Sequence, residues 1–451
     1  MASRPQGTLP KKLLKRGPLV GGYRMLNNSK VTHAAIVHAH RDRCLAQLRE
    51  AVAAGGPCKV LLLHDTTVLD YSGLDVAGLG QVGDGHGRGL YGHHSLAVIP
   101  RTRQVAGLFN QILHKRAKVP KGETKSQRAA RADRESRLWK QAAVDVPLSL
   151  MPPGVTVTDV SDRGSDITEY IDHEIGAGRE FIVRSMHNRK LAEQDKQDDA
   201  DQGDAERIDT ADPQVQKLHG RLRGLASMGH YTLRVPAKEG GWREATIHLA
   251  YAALSILPPR QARGEHGQEP LNLFGVIACE TDVPAKETPV EWMLLSNRAI
   301  KSIEAAREVV EDYACRWMVE DYHKAQKTGC GIEETQLTTR HALDNFIALT
   351  SVLAVHVLRL RCKARDEQIR EQPARLHEDE LKVQLAAQDS KNPDWRQMTV
   401  WEFFIAVARM GGYVLNPNKT PPGWITLWRG YTRLEEMCEG VRLWQKRCVQ
   451  T

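Results

Sequence analysis

This 451-residue chain lacks any disulfide framework or cysteine metal signature. Its eight cysteines (44, 58, 279, 315, 330, 362, 438 and 448) are scattered, with no C-x-x-C pair. That spacing argues against a cystine-stapled secreted scaffold and predicts a reducing cytosol. Long apolar runs are missing too. The longest, around Ala348 to Leu358, reads as too short and too interrupted for a bilayer span. Lys11, Lys12, Lys15 and Arg16 near the start are not followed by an apolar stretch, so no signal peptide is read. Net charge of one sign is also modest: 63 Lys/Arg against 55 Asp/Glu give +8. With 41% hydrophobic residues, the composition predicts a globular chain of two or three domains.

The charge is unevenly spread. Residues 101 to 140 hold twelve Lys/Arg against three Asp/Glu, which suits a polyanionic partner. Residues 193 to 212 hold nine acids against two bases and predict a solvated loop. The basic N-terminal residues read either as an arm on a polyanion or as a plain tail.

Taken in order, Thr32 to Ala54 predicts one helix, ended by Gly55-Gly56-Pro57. A buried strand then runs from Cys58 and ends at Asp65. A carboxylate at the carboxyl end of a core strand is where open α/β sheets place ligands, although a lone Asp there also serves as a turn residue. Leu90 to Pro100 and Gln104 to His114, joined by Arg101-Thr-Arg103, predict a hairpin. His86, His93 and His94 match no zinc spacing. Glu123 to Val144 predicts a basic helix, for which a phosphate-binding face and a solubilising face are equally open. After Pro152-Pro153-Gly154, a second strand leads to Asp159, Asp162 and Asp166. A helix (Ile167 to Gly178) and a strand (Glu180 to Ser185) follow. Strand, hairpin, helix, strand, helix, strand is the order of a mixed sheet of the ribonuclease H type. Period-two alternation from Lys217 to Ser296 predicts an inserted antiparallel β segment. Phe346 to Arg361, Trp401 to Met410 and Trp424 to Gln445 predict helices, the last two forming a small Trp-rich C-terminal unit.

The stretch from Ala299 to Gln326 has no Gly or Pro and predicts a single helix. At about 100° per residue, Arg316, Glu320 and Lys327 then lie within roughly 60° of Tyr313 on one stripe. A carboxylate between two cations suits a divalent metal beside phosphates. The same pattern also makes an ordinary solvated face. Asp65, Asp162 and Glu320 are far apart in sequence, and only the fold can gather them. Three gathered carboxylates repel unless hard cations relieve them. Two such ions suit in-line attack at a phosphodiester. A glycosidase also uses two carboxylates, but its sites favour aromatic platforms over basic surrounds.

Tyr313-x2-Arg316-x3-Glu320-x6-Lys327 resembles the Y-R-E-K signature of the IS-four family of bacterial transposases. Asp65-Thr-Thr, Asp162-Arg-x-x-Asp166, Phe181-Ile-Val-Arg-Ser, Glu287-Thr-Pro-Val-Glu-Trp-Met-Leu-Leu and Ala408-Arg-Met-Gly-Gly412 are similar to that family as well. The likeness runs from about Tyr23 to about Leu443. It implies a cut-and-paste DNA transposase with a ribonuclease H-like α/β core, an inserted antiparallel β segment and an α-helical C-terminal region. Asp65, Asp162 and Glu320 match the catalytic metal-binding triad, with Mg²⁺ as cofactor and Mn²⁺ as substitute. Tyr313, Arg316, Lys327, Trp292, Arg184, Lys190, His323 and Lys324 match DNA-contacting positions, Trp292 as the platform for a flipped base. The implied partners are double-stranded transposon ends and target DNA, bound by a homodimer in the bacterial cytoplasm. The implied divisions are 1–57 (N-terminal, DNA-contacting), 58–190 (core), 191–290 (loop and β segment), 291–365 (core with catalytic helix) and 366–451 (dimerisation).

Two departures stand out. Only 64 residues precede Asp65, fewer than in full-length relatives, so part of the end-recognition region is expected to be absent. Gly164 stands where the family's Asp-Arg-Glu box has glutamate. A non-catalytic relative that pairs with an active transposase is the alternative these departures leave open.

Overall fold

The computed structural model describes residues 8–13, 15–118, 120, 122–124, 127, 131, 133–192, 217–236, 238, 242–259, 266–366, 368–388, 394–414 and 422–448. The fold is mixed α/β, and its ten described strands pair both parallel and antiparallel. The chain forms two interleaved compact units. One comprises Met1–Glu50, Thr66–Arg116 and Met318–Thr451; the other comprises Ala51–Asp65 and Ala117–Trp317. The acidic stretch 193–212 lies outside the described residues.

In the second unit, β1 (Cys58–Asp70, of which this unit holds the first part) pairs in parallel with β5 (Val155–Ser161). Next comes β6 (Glu180–Arg184), parallel to β5 and reached through a helix, Thr168–Gly176. A parallel neighbour requires such a crossover. Antiparallel strands then continue the same sheet: β10 (Glu291–Ser296), β9 (Leu271–Glu280), β8 (Trp242–Ile256) and β7 (Gly229–Pro236). The expected β insertion is therefore an extension of the core sheet. A helix at Leu218–Arg223 precedes it. Tyr170, Ile171, Phe181, Val183, Leu222, Leu254 and Leu295 pack on one face of this sheet.

In the first unit, helix His33–Gly55 begins where Thr32 Oγ1 accepts the Ala35 N–H, at 3.1 Å. Gly56, at φ 84°, turns the chain after it. The hairpin β3–β4 (Gly87–Ile99 and Gln104–His114) carries the short β2 (Gly80–Val82). Leu69, Tyr71, Leu90, Ile332, Leu343 and Ile347 form a core here. The long helix Arg340–Arg365 exceeds the apolar run visible in the sequence. By length and composition, Arg340–Ala364 is long and apolar enough to cross a membrane, and 62% of its most apolar stretch is buried inside the protein. Helices Val400–Met410 and Trp424–Cys448 bury Phe403, Phe404, Val407, Leu427 and Leu434. They cross so closely that a Cβ at Gly430 would stand 1.6 Å from the Val407 carbonyl oxygen.

Two sequence expectations are corrected. β1 does not end at Asp65 but runs on to Asp70, because Thr66, Thr67 and Val68 are good strand formers. The single helix over 299–326 is two: α-helices Ile303–Ala314 and Trp317–Lys324, followed by a π turn at Ala325–Gly329. The break falls at Cys315–Arg316, where the N–H groups bond three residues back, so the uniform angular stripe does not hold. Of the predicted basic helix 123–144, residues 125, 126, 128–130 and 132 lie outside the described residues; Gln127 is helical, and an α-helix spans Leu138–Asp145 after a 3₁₀ turn at Glu135–Arg137.

Candidate active site

Asp65 and Asp162 meet through sheet register. The parallel pairing of β1 and β5 runs from Cys58 opposite Val155 to His64 opposite Ser161. One residue further on come Asp65, still within β1, and Asp162, just past the end of β5, so the register brings the two to neighbouring positions. Strands so paired lie about 4.8 Å apart. Both aspartates are half-buried. The Asp162 carboxylate accepts the Gly164 N–H at 2.9 Å, which caps the 3₁₀ turn Arg163–Ser165.

Arg316 brings positive charge to this pair. Its Nη1 lies 3.5 Å from Asp65 Oδ2, and its side chain is only 9% exposed. The guanidinium carbon sits 5.2 Å from the Trp317 ring centre and 6.0 Å from that of Tyr313. Trp292 and Tyr313 meet edge to face with ring centres 5.3 Å apart. Burial pushes the Tyr313 phenol above its ordinary value, while Arg316 and Arg184 oppose that shift. The helix bearing Tyr313 is held by Asp312, which pairs with Lys59 Nζ at 2.6 Å and Arg298 Nη1 at 2.7 Å. Lys59 and Arg298 thus tie the base of β1 to the Tyr313 helix.

Arg184 lies beside Tyr313 and donates to the Glu291 carbonyl at 3.0 Å, and Lys190 is exposed. Asp166 is buried and structural: it accepts the Met186 and His187 N–H groups at 2.6 and 2.8 Å and pairs with Arg189. The first unit holds Glu320, half-buried in the first turn of Trp317–Lys324. Lys324 is exposed, and Lys327, on the π turn, lies 3.6 Å from Glu333 Oε1. His323 is buried and faces His94, with Nε2 to Nδ1 at 3.1 Å, so its ring serves the core of that unit. His93 Nδ1 meets Thr66 Oγ1 at 2.8 Å.

Gly164 has a packing reason. A Cβ there would fall 2.9 Å from Trp139 Cζ2 and 3.1 Å from Asp162 Oδ1. Replacing it forces the indole or the Asp162 cap to move. Gly164→Ala is expected to lower unfolding free energy by about 1–3 kcal/mol, the usual cost of overpacking, as read by a urea melt. An unchanged midpoint would show that the indole yields freely.

The donor set fits a hard divalent cation in part. Two carboxylates on adjacent strands supply oxygen ligands suited to Mg²⁺ or Mn²⁺. Among the described residues, no three His, Cys, Asp or Glu side chains are gathered closely enough to hold a metal ion. A scan against protein-family models matches none.

Sequence reading passed over two features. Trp317 is 54% exposed beside Arg316. His64, Asp159 and Arg179 form a buried charged cluster under the aspartate pair. A histidine and an aspartate inside apolar strands were the available signal.

Proposed function

We propose that this chain is a DNA transposase that cuts the ends of a mobile element and joins them to target DNA. The observation carrying the reading is that Asp65 and Asp162 each follow the last paired residues, His64 and Ser161, of two adjacent parallel strands, joined to the Tyr313-Arg316-Glu320-Lys327 spacing. The chemistry is successive phosphodiester exchange. Water attack frees a 3′-hydroxyl, that hydroxyl attacks the opposite strand to close a hairpin, and water reopens it. The regenerated 3′-hydroxyl then attacks the target. Asp65 and Asp162 would hold a divalent cation, with Glu320 as third carboxylate on the strength of the signature. Bound there, such a cation lowers the cost of developing negative charge on the reacting oxygens. Arg316 balances the Asp65 charge from a water-poor position, where electrostatic contacts are stronger than in bulk water. Trp292 offers an aromatic edge supported by Tyr313 for a base displaced from the helix. Lys190, Lys324 and Lys327 supply cations for phosphates. The partner is double-stranded DNA, bound by a homodimer in the bacterial cytoplasm.

A second reading has its own support: binding without cutting, as a partner or competitor of an active transposase. The pairing of Arg316 with Asp65 favours it. Incubating the full chain with labelled DNA carrying the element's terminal sequence, with and without Mg²⁺, separates the two. The transposase gives a metal-dependent nick and then a hairpin. Retained DNA binding with no nick in either condition leaves the second reading.

A further inference from the structure

We propose that His64, Asp159 and Arg179 are positioning residues: a buried polar lock that sets the register bringing Asp65 and Asp162 to neighbouring positions. This inference rests on the reading of that pair as the reactive site. All three side chains are at most 2% exposed. Asp159 lies opposite Leu62 in the parallel pairing, and His64, two residues further along β1, reaches back to it with Nε2 2.6 Å from Oδ1. Arg179, in the turn before β6, donates Nε–H to Asp159 Oδ2 at 3.0 Å and Nη2–H to Oδ1 at 2.9 Å. Its Nη1–H goes to the Val146 carbonyl at 2.8 Å. One carboxylate therefore ties together β1, β5 and the entry to β6.

The apolar pattern cannot do this alone. β1 presents Val60-Leu61-Leu62-Leu63, all fully buried. A slip of two residues would keep every side chain on its own face, exchanging Leu61 with Leu63 and Val60 with Leu62 at the cost of little apolar burial. Buried strands of parallel sheets normally read as such featureless runs. Asp159 narrows the degeneracy, because a slip that brings Val60 opposite it carries His64 four residues away and leaves its buried charge without that partner. Burial, and then the neighbouring Asp159 charge, raise the Glu174 carboxyl well above the usual range, while Arg179 opposes that shift. Asp159 itself is kept ionised: although burial opposes its charge, Arg179 and then His64 hold it below the usual range. Apolar residues of similar volume would stabilise such a site as well or better, so stability alone gives no reason for charge here. Each partner sits close to the aspartate it positions, His64 next to Asp65 and Asp159 three residues before Asp162.

The test uses the full chain and Mn²⁺ as probe, with affinity read from the electron paramagnetic resonance of free Mn²⁺ and folding from circular dichroism melts. In the triple variant His64→Leu/Asp159→Leu/Arg179→Met the lock is replaced by apolar volume. It is expected to stay folded yet bind Mn²⁺ about tenfold or more weakly, the usual loss when groups orienting metal ligands are removed. Wild-type affinity in the folded triple variant overturns the lock. Should that variant not fold, Asp159→Asn keeps the shape and removes the charge. A weakening of about threefold or more supports the lock, and unchanged affinity overturns it. Asp65→Asn separates the two levels of inference. If wild type and Asp65→Asn bind Mn²⁺ alike, the reading of the site fails and the lock with it. If only Asp65→Asn loses binding, the lock alone fails.

Discussion

Asp162→Asn lowers metal-dependent cleavage of terminal DNA by roughly 10²–10³-fold or more, the scale seen when one preorganised charge-stabilising group is lost, and leaves DNA affinity within about twofold. That is the expected result, and it follows from where Asp162 sits. Its strand ends one residue earlier at Ser161, which pairs with His64, so Asp162 follows β5 as Asp65 follows His64 in β1. Asparagine keeps the shape and the bond from the Gly164 N–H, which needs only a carbonyl oxygen. What disappears is one negative charge, and with it half of the pair that suits a hard cation. Glu320→Gln is expected to behave alike, because the signature assigns it the same chemistry. Asp65→Asn carries an added penalty: Arg316, with a side chain 9% exposed, loses the charge of an ion-pair partner in a largely buried setting. Its loss of cleavage should therefore come with a lower melting temperature, and that of Asp162→Asn should not. Single-turnover cleavage on labelled ends, gel-shift titration and thermal melts read these three quantities separately. Full cleavage by Asp162→Asn would remove the aspartate pair from the chemistry.

Local signals in the sequence located most of the elements. Gly55-Gly56-Pro57 marks the end of a helix observed at His33–Gly55, and Arg101-Thr-Arg103 marks the turn of the β3–β4 hairpin. Both depend on backbone preferences that a few neighbouring residues settle. Asp65 and Asp162 were legible as carboxylates flanking strands, but their register was not, since Leu61, Leu62 and Leu63 are interchangeable to any periodicity argument. The helix break at Cys315–Arg316 was equally hidden. Its residues are ordinary helix formers, and what turns Arg316 inward is Asp65, 251 positions away in the chain. The resemblance to a family with glutamate at this position left Gly164 readable either as a tolerated change or as decay. Only packing shows the Trp139 ring beside it, where a side chain would stand. In each case the missing information was a tertiary contact, which no local pattern carries.

Acidification from pH 7 to about pH 4.5 is expected to remove several kcal/mol of stability from the unit that carries Glu320, through histidines it buries uncharged. Burial, then Arg359 and Arg43, lower His40 from 6.5 to about 4. Its Nε2 also accepts the Leu108 N–H at 3.2 Å, which a protonated ring could not do. Burial lowers His94 well below its ordinary value, and His323, His93, His33 and Lys327 add to the effect. Burial lowers His33 and His356 in the same direction. The sign follows from proton counting. Below about pH 6.5 the unfolded chain takes up protons at these rings that the folded chain refuses, so stability falls as pH falls, until the folded values are reached. For His40 alone, a drop of about 2.5 pH units corresponds to about 3 kcal/mol as an upper bound. A folded domain has about 5–15 kcal/mol in total. The effect bears on the site because His94 contacts both His323 and Gln326 on the segment carrying Glu320 and Lys327. Charging His94 therefore loosens the helix and π turn that present those two residues. Urea melts at pH 7.0, 6.0, 5.0 and 4.5 should show a falling midpoint, and His40→Gln should flatten part of the slope. A midpoint constant across that range would mean that these rings are charged, or reached by water, in the folded protein.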